Sequence, residues 1–485
     1  MSLSKKNVLL LILGIVPLFI VAATLKSYPG NAFFYIAFTT AFSMLLVSMF
    51  HQQQSYVYTY LSGLLWLGCW LKTVVHFIYS LSYVEPTGEF DGSAEAWDEV
   101  LLVMAAGAIG IVISRAIFLQ LSGGGGIILS ALRDISCWRG AYNKWSLILF
   151  LLVLLATAFA NTYFGIFVAG FTTKTILIYP LNALITLMLV GGGFVVWAAS
   201  ILWWRLISKQ SIFLFLIFLI FSGAIITLST LSRGMIVSFV LPLLYAFYIN
   251  RQKAVDYQSF KFVLIGLLFV GTVYSCFSIV NTIRNFMYFD KGQPFQVELL
   301  KKEFVSEAPN VKRFLAFSVD RWIGVEGVMA VSSYPEIGMN LFVQTILEKP
   351  DLIHPSIYEE IAPWPQLPQS SALRENVRLM SVSGGIAFLY YSGAVTVVFV
   401  STILIGLFLQ CAEAAIMGLT SNPILCSGVG WILAQLFVHF GGAPRFMIPV
   451  FVFLIIAILL AAVFQKCMLR LCSRPITLDG RKNEA

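Results

Sequence analysis

Charged residues are scarce in this chain. Only 11% of its 485 residues are Asp, Glu, Lys or Arg, while 59% are hydrophobic. Soluble domains carry about one quarter charged residues. The composition therefore excludes an ordinary soluble protein and indicates an all-α integral membrane protein.

Several catalytic motifs are also missing. The sequence has no His-Glu-x-x-His, Asp-x-Asp or Walker motif. A zinc protease, an ATP-driven pump and a metal-dependent enzyme that uses nucleotide sugars are therefore disfavoured. None of the seven cysteines has zinc-site spacing, and we expect the protein to need no metal and no cofactor. None of them falls in the long polar segment 284–383 either, so we expect no disulfide in that segment.

Long apolar runs fill most of the chain. A helix needs about 20 apolar residues to cross the hydrocarbon core of a bilayer. The sequence predicts about twelve such spans, at residues 7–24, 31–50, 57–80, 99–119, 146–165, 179–204, 211–230, 234–250, 262–282, 384–409, 423–440 and 446–466. The basic start of the first run is also typical of a signal peptide, but the run is longer than a usual signal core, and we interpret it as a retained span.

Basic residues collect on one side of these spans. The opposite short loops carry few cations, and residues 85–99 are acidic. The positive-inside rule makes the basic side cytoplasmic, so both termini are expected in the cytoplasm. The net charge of +8 is explained by this pattern, and no nucleic-acid partner is expected.

One polar stretch interrupts the spans late in the chain. Its many aromatic residues are atypical of disorder, so we expect it to fold as a cap on the outer side of the bundle. This predicts four parts: nine spans in 1–283, the cap in 284–383, three spans in 384–468 and a basic tail in 469–485. Within the cap we expect helices at 296–307, 310–332 and 337–348, and an irregular proline-rich stretch at 350–368.

Three arginines are expected at the outer ends of separate hairpins. Arg233 lies in the short connection between the seventh and eighth spans, Arg284 follows the ninth, and Arg445 lies between the last two. Burying a guanidinium at the membrane edge costs several kcal/mol unless an anion or a water-filled cavity compensates. Together the three predict a site that binds a diphosphate leaving group and stabilises its charge. The alternative is that each is an interfacial anchor that reaches lipid phosphate.

The stretch 319–327 is the densest polar and aromatic part of the expected cap. Asp320 or Glu326 is a candidate general base towards a sugar hydroxyl. Arg321 and Trp322 are candidate substrate-binding residues, with the indole stacked on a sugar ring. The alternative is a surface helix with an ion pair and a tryptophan packed on the bundle.

Lys72 and His76 lie four residues apart, hence on one face of the third span. Ionisable side chains inside a span typically indicate a functional site, so both are candidate substrate-binding residues. The alternative is that they pair with acidic groups of the outer loops.

With these features the chain resembles the Wzy-type polysaccharide polymerases of bacteria. The resemblance covers the whole topology, namely many spans, cytoplasmic termini and a large periplasmic loop before the last helices. It is also found in Ser232-Arg233-Gly234 and in Ser383–Gly393, where the chain re-enters the membrane. The resemblance implies a GT-C-like bundle in the bacterial inner membrane.

The same resemblance implies a reaction. A glycan carried on undecaprenyl diphosphate would be transferred onto the non-reducing end of a new lipid-linked repeat unit, in O-antigen, capsule or exopolysaccharide synthesis. No metal or nucleotide is needed, because the lipid diphosphate is the leaving group. The essential periplasmic arginines of the family correspond best to Arg233, and then to Arg284 and Arg445. A chain-length regulator and a flippase of the same pathway are the expected protein partners.

Two other functions remain open. An O-antigen ligase would carry a periplasmic motif that opens with His followed by Asn, Ser or Gln, whereas His354 is followed by Pro355. A flippase or another transporter for lipid-linked oligosaccharides often shows paired repeats and broken helices in both halves. The sequence shows no convincing repeat.

Overall fold

The computed structural model describes most of the chain. The described residues are 20–50, 55–122, 141–171, 173–178, 180–207, 212–250, 259–289, 319–320, 322–349, 355–363, 382–440 and 444–473. The expected helix at 296–307, most of the first expected span and nearly all of the basic tail lie outside them.

All the regular elements in these residues are helices. Helix α1 covers residues 20–27. The others are α2 (Ala32–Met49), α3 (Tyr56–Tyr79), α4 (Ala94–Leu121), α5 (Ala141–Phe164), α6 (Leu181–Leu189), α7 (Gly193–Ile207), α8 (Phe213–Thr230), α9 (Met235–Asn250), α10 (Ser259–Phe289), α11 (Val325–Ser332), α12 (Met339–Leu347), α13 (Ile357–Ile361), α14 (Gly385–Tyr390), α15 (Val395–Thr420), α16 (Pro423–Val438) and α17 (Met447–Ser473). A 3-10 helix, Pro444–Phe446, precedes α17.

The helices confirm a polytopic membrane protein. Among the described residues, eight helices are long and apolar enough to cross a membrane, or nine if the bent pair α6 and α7 is one span. Helices α9 and α16 are apolar but shorter, with 16 residues each. The described part of the chain therefore supports the predicted class, while the predicted total of about twelve spans stays a prediction.

Polar residues begin several of these helices. The side chains of Asn31, Ser55 and Ser93 accept hydrogen bonds from backbone N–H groups in the first turns of α2, α3 and α4. Asn422 does the same for α16, which has Pro423 at its first position. These are the residue types that the start of a helix favours, because its first N–H groups have no partner within the helix.

Three predicted helices differ from the structure. The expected span at 179–204 is two helices, α6 and α7, which meet at an angle of 51° across Val190–Gly192. The expected span at 384–409 is the short helix α14 followed by a turn, and the span itself begins at Val395. The expected helix at 310–332 is not helical at 322–324 and continues only from Val325.

Helix α4 packs closely against both α2 and α15. Glycine makes this approach possible, because a methyl group on Gly110 of α4 would overlap Thr402 of α15. Likewise, a methyl group on Gly406 of α15 would overlap Ser114 of α4. Small residues at a helix interface let two backbones come close in a membrane.

A buried carboxylate ties α15 to the start of α3. Glu413 is 1% exposed and accepts hydrogen bonds from the Ser55 hydroxyl and from the backbone N–H groups of Tyr56 (2.8 Å) and Val57 (3.0 Å). The N-terminus of a helix carries a partial positive charge, so α3 itself provides the stabilising environment for this carboxylate. This end of the bundle is opposite to the one that holds the candidate site.

Replacing Gly406 by valine tests the close contact. We expect Gly406→Val to destabilise the protein by about 1–3 kcal/mol, the usual cost of overpacking a core. Gly418→Val is the matched control in the same helix, because a Cβ atom at Gly418 would meet nothing within 4 Å. Thermal unfolding of the detergent-solubilised variants should give a lower Tm for Gly406→Val alone, and equal Tm values would contradict the packing described here.

Candidate functional site

The described part of the long polar segment lies at one end of the bundle, which we call the polar-segment face. Backbone and side-chain hydrogen bonds join it to the ends of several spans. The Ser383 hydroxyl of the segment donates to the Phe440 carbonyl over 3.1 Å, and just after the segment the Tyr390 hydroxyl donates to the Glu99 carboxylate over 2.5 Å. Burial and this neighbouring carboxylate raise the pKa of Tyr390, so its hydroxyl stays protonated and can act as the donor.

The same face includes the connection between α8 and α9. The Gln435 side chain of α16 donates to the Ser238 hydroxyl of α9 over 2.9 Å, which joins the ends of these two helices. Leu231 closes α8 in the left-handed conformation, with φ of 48°, and α9 begins four residues later at Met235. Arg233 therefore lies at the polar-segment face, in the very short connection that the sequence predicts.

A buried ion pair joins the third span to the polar segment. Lys72 of α3 is 0% exposed, and its ammonium pairs with the Glu326 carboxylate, which belongs to a residue that is 2% exposed. The same ammonium donates to the carbonyl oxygens of Trp322 (2.7 Å) and Asp320 (3.3 Å). An ammonium has three donors, and all three are directed at acceptors of one short stretch.

A second pair lies one helical turn away. The Nε2 atom of His76 is 2.7 Å from the Asp320 carboxylate, and its Nδ1 atom is 3.2 Å from the Leu81 carbonyl. Both partners are oxygen atoms that accept hydrogen bonds. Tyr83 stacks on the imidazole with a centroid separation of 4.0 Å and an interplanar angle of 3°. We call Lys72, Glu326, His76 and Asp320 the ionic cluster.

Glycine residues and a π-helical turn allow the backbone of α3 and the backbone of the polar segment to come together at this cluster. The six residues Trp66–Leu71 form a π-helical turn within α3, just before Lys72. A methyl group on Gly68 would overlap the Ile323 carbonyl, and one on Gly324 would overlap the Gly68 carbonyl. The polar segment thus lies directly against the backbone of α3, and π-turns of this kind are frequent at functional sites.

The ionic cluster answers one question that the sequence left open. Lys72 and His76 do pair with acidic groups, and these groups are the two carboxylates that the sequence analysis selected as candidate bases. Trp322 is half-buried and packs against the hydrophobic core. Arg321 lies outside the described residues, and the catalytic and sugar-binding roles of all these residues stay predictions.

The side-chain partners of Arg233 are neutral, as are the amide and aromatic partners of Arg115 at the other end of the bundle. Its guanidinium donates through Nη1 to the Asn281 amide oxygen of α10 and lies over the Phe277 ring, 5.6 Å from the centroid. Its buried Nε atom has no hydrogen-bond partner in the described part of the chain. Within that part, both side-chain partners are neutral, so no carboxylate balances this charge.

The structure places Arg284 one helical turn from Asn281, the partner of Arg233, and places Arg445 on a different element. Asn281 and Arg284 lie three residues apart on α10, hence on neighbouring turns of one helix face. Arg284 is half-buried. Arg445 is exposed on the 3-10 helix that packs against α12. Two of the three predicted arginines are thus linked to α10, Arg284 by its position and Arg233 through Asn281.

The sequence analysis did not identify Asn281, Phe277 or Tyr83. Asn281 had a detectable signal, because it is an amide one helical turn before Arg284 in a predicted helix. Tyr83 had none, since its contact with His76 depends on the turn after α3. Among the described residues, no group of three or more His, Cys, Asp and Glu side chains is placed to hold a metal.

Comparisons with known proteins do not assign the chain. No protein-family model, no curated protein and no solved structure matches it. The geometry of the site therefore carries the functional argument.

Removing one partner of the buried ion pair tests its role in holding the polar segment. We expect Lys72→Met to destabilise the protein by about 3–5 kcal/mol, because the buried Glu326 charge loses its partner. The double variant Lys72→Met with Glu326→Leu should recover most of that loss, since it removes both charges. Lys26→Met, at an exposed lysine, is the control.

The measurement is the Tm of each variant in the same detergent. A double variant as unstable as the sum of the two single variants would show that the charges do not act as a pair.

Proposed function

We propose that this protein is a membrane glycosyltransferase that polymerises lipid-linked oligosaccharide repeat units. The donor is a glycan on a polyprenyl diphosphate, and the acceptor is a hydroxyl at the non-reducing end of a second lipid-linked unit. Transfer takes place at the polar-segment face, which we assign to the periplasmic side of a bacterial inner membrane. The resemblance to the Wzy-type polymerases supports this topology and this substrate class.

The observation that carries the proposal is the environment of Arg233. Among the described residues, a neutral amide and an aromatic ring hold the half-buried Arg233 guanidinium at the membrane edge, so these partners leave its charge to a ligand. A buried cation is stable only when an anion or water compensates it. Arg284 follows Asn281 by three residues on the same helix, so a second arginine lies one helical turn from the partner of Arg233. A planar guanidinium fork suits a diphosphate.

The chemistry requires few groups. The acceptor hydroxyl oxygen attacks the anomeric carbon of the donor sugar, and the bond from that carbon to the diphosphate oxygen breaks. The leaving diphosphate keeps the electron pair, and Arg233 and Arg284 stabilise the charge that develops on it. A general base takes the hydroxyl proton, and Asp320 and Glu326 are the candidates on the polar segment.

The ionic cluster limits what those carboxylates can do directly. Both already accept hydrogen bonds from Lys72 or His76 and are largely buried. A base must come within hydrogen-bond reach of the proton that it removes. A carboxylate of the cluster can therefore act as base only if the acceptor sugar reaches it past Trp322, which is partly exposed.

One observation favours a second candidate function. The bent pair α6 and α7 has the form of a discontinuous span, which is common in secondary transporters. A flippase for lipid-linked oligosaccharides would use such a span and would also require an anion site. Transporters usually carry a second, equivalent break, and the described residues contain one bent pair.

Replacing Arg233 by alanine distinguishes these functions. In source cells that lack the native copy, Arg233→Ala should reduce polymerisation by about 10²–10³-fold, the usual cost of losing one electrostatic group in an active site. Glycan products should then carry one repeat unit. Arg233→Lys should recover little, because an ammonium lacks the planar fork, and Lys26→Ala is the control at an exposed cation of the same face.

Each result of this experiment has a defined meaning. Gel analysis of surface glycans gives the chain length, and immunoblotting of membranes shows that the variant is present. Long chains from Arg233→Ala would refute the role of Arg233. Loss of single repeat units from the outer surface would favour the flippase.

The substitution Asn281→Asp tests whether polymerisation requires that no carboxylate of the protein pairs with Arg233. Asn281→Asp places a negative charge where the neutral amide now accepts from Arg233. We expect this variant to keep the wild-type Tm, or to raise it, while polymerisation falls at least about tenfold, because an internal ion pair competes with the substrate diphosphate. Full activity of a stable Asn281→Asp variant would contradict the proposed anion site.

A further inference from the structure

Helix α12 of the polar segment carries an exposed apolar stripe. Met339, Val343, Ile346 and Leu347 are 54%, 46%, 39% and 56% exposed. Their spacing of four, three and one residues places them side by side on one face of the helix. The stripe is therefore continuous along the nine residues of the helix.

The rest of α12 has two other faces. Leu341 and Thr345 are buried against the protein, and the Phe342 ring lies 5.8 Å from the Phe388 ring of α14. Asn340 and Gln344 are exposed and lie on the next strip around the helix. One face thus packs on the protein, one is polar, and one is apolar without a partner among the described residues.

The position of α12 is fixed relative to two spans. The N–H of Gly338, which precedes the helix, donates to the Tyr391 carbonyl over 2.9 Å, and the span α15 begins at Val395. The 3-10 helix Pro444–Phe446 packs against α12 and leads directly into α17. Helix α12 therefore lies at the level where α15 and α17 begin.

Exposed apolar residues continue from this level down both spans. On α15, Val400 and Leu404 are 52% and 61% exposed. On α17, Ile448 and Val452 are 58% and 51% exposed. Since these helices belong to a membrane protein, such residues face lipid, and the stripe of α12 is the upper edge of the same surface.

From this arrangement we infer that α12 is an interfacial helix whose apolar stripe contacts the acyl chains of the bilayer at the polar-segment face. Asn340 and Gln344 face the aqueous side, and the exposed residues Glu336 and Lys349 flank the helix at the level of the lipid head groups. A helix with this division of faces lies in the plane of the interface. The inference does not depend on the proposed function.

A protein partner fits the stripe less well. A stable interface buries about 800 Å² on each side. Four partly exposed side chains on a helix of nine residues offer far less than that. The continuity with the lipid-facing surface of α15 and α17 selects the bilayer as the occupant.

Spin labels placed around α12 test this inference. Single cysteines replace Val343, Ile346, Asn340 or Gln344 in a full-length chain whose native cysteines are serine, and the labelled protein is reconstituted in vesicles of phosphatidylcholine and phosphatidylglycerol. Labels at Val343→Cys and Ile346→Cys should collide preferentially with molecular oxygen, which concentrates in the bilayer. Labels at Asn340→Cys and Gln344→Cys should collide preferentially with a water-soluble nickel complex.

Two results would overturn the inference. Equal access of the nickel complex to all four labels would place the stripe in water. Protection of Val343→Cys and Ile346→Cys from both reagents would mean that protein covers the stripe.

A second measurement covers the case in which the serine background does not fold. A photoreactive benzoylphenylalanine at Val343 or Gln344 of the otherwise native chain is activated in the same vesicles, and adducts are identified by mass spectrometry. We expect phospholipid adducts at Val343 and none at Gln344. The absence of lipid adducts at Val343 would contradict the inference.

Discussion

The arrangement of the polar-segment face depends on the need to neutralise Lys72. This lysine is fully buried in the third span, where an uncompensated ammonium would be very costly. Its partners all come from the stretch between Asp320 and Glu326. The polar segment must therefore dock against α3, and the contact between Gly68 and Gly324 allows it to come close enough. Once that stretch is docked, α11 packs on α4 and α14.

Arg233 presents the opposite electrostatic situation on the same face. In the ionic cluster Lys72 and His76 each face a carboxylate, so these groups find their partners within the protein. At Arg233 the partners within the described residues are an amide and an aromatic ring, which leave the charge uncompensated. This contrast supports the proposed binding role for Arg233, whereas the cluster holds the polar segment against α3. It also explains how one protein can hold several ionisable groups at a membrane edge without neutralising all of them.

The sequence predicted those features that depend on local composition. Apolar runs located most spans to within a few residues, and the short connection at Arg233 is present as expected. The pairing of Lys72 with Glu326 joins residues 254 positions apart, so no local pattern could select this partner over other acids. The break at residues 322–324 depends on the same contact. The expected span at 179–204 contains the glycine run 191–193, and the bend of 51° falls at this run.

The most direct test of the central claim is glycan transfer by the purified protein. The protein is reconstituted in vesicles with lipid-linked repeat units extracted from source cells that lack it, in the presence of a metal chelator. The account predicts a ladder of polymerised products and release of polyprenyl diphosphate, because protein cations replace a metal at the leaving group. Movement of unpolymerised repeat units across the bilayer, with no ladder, would contradict it.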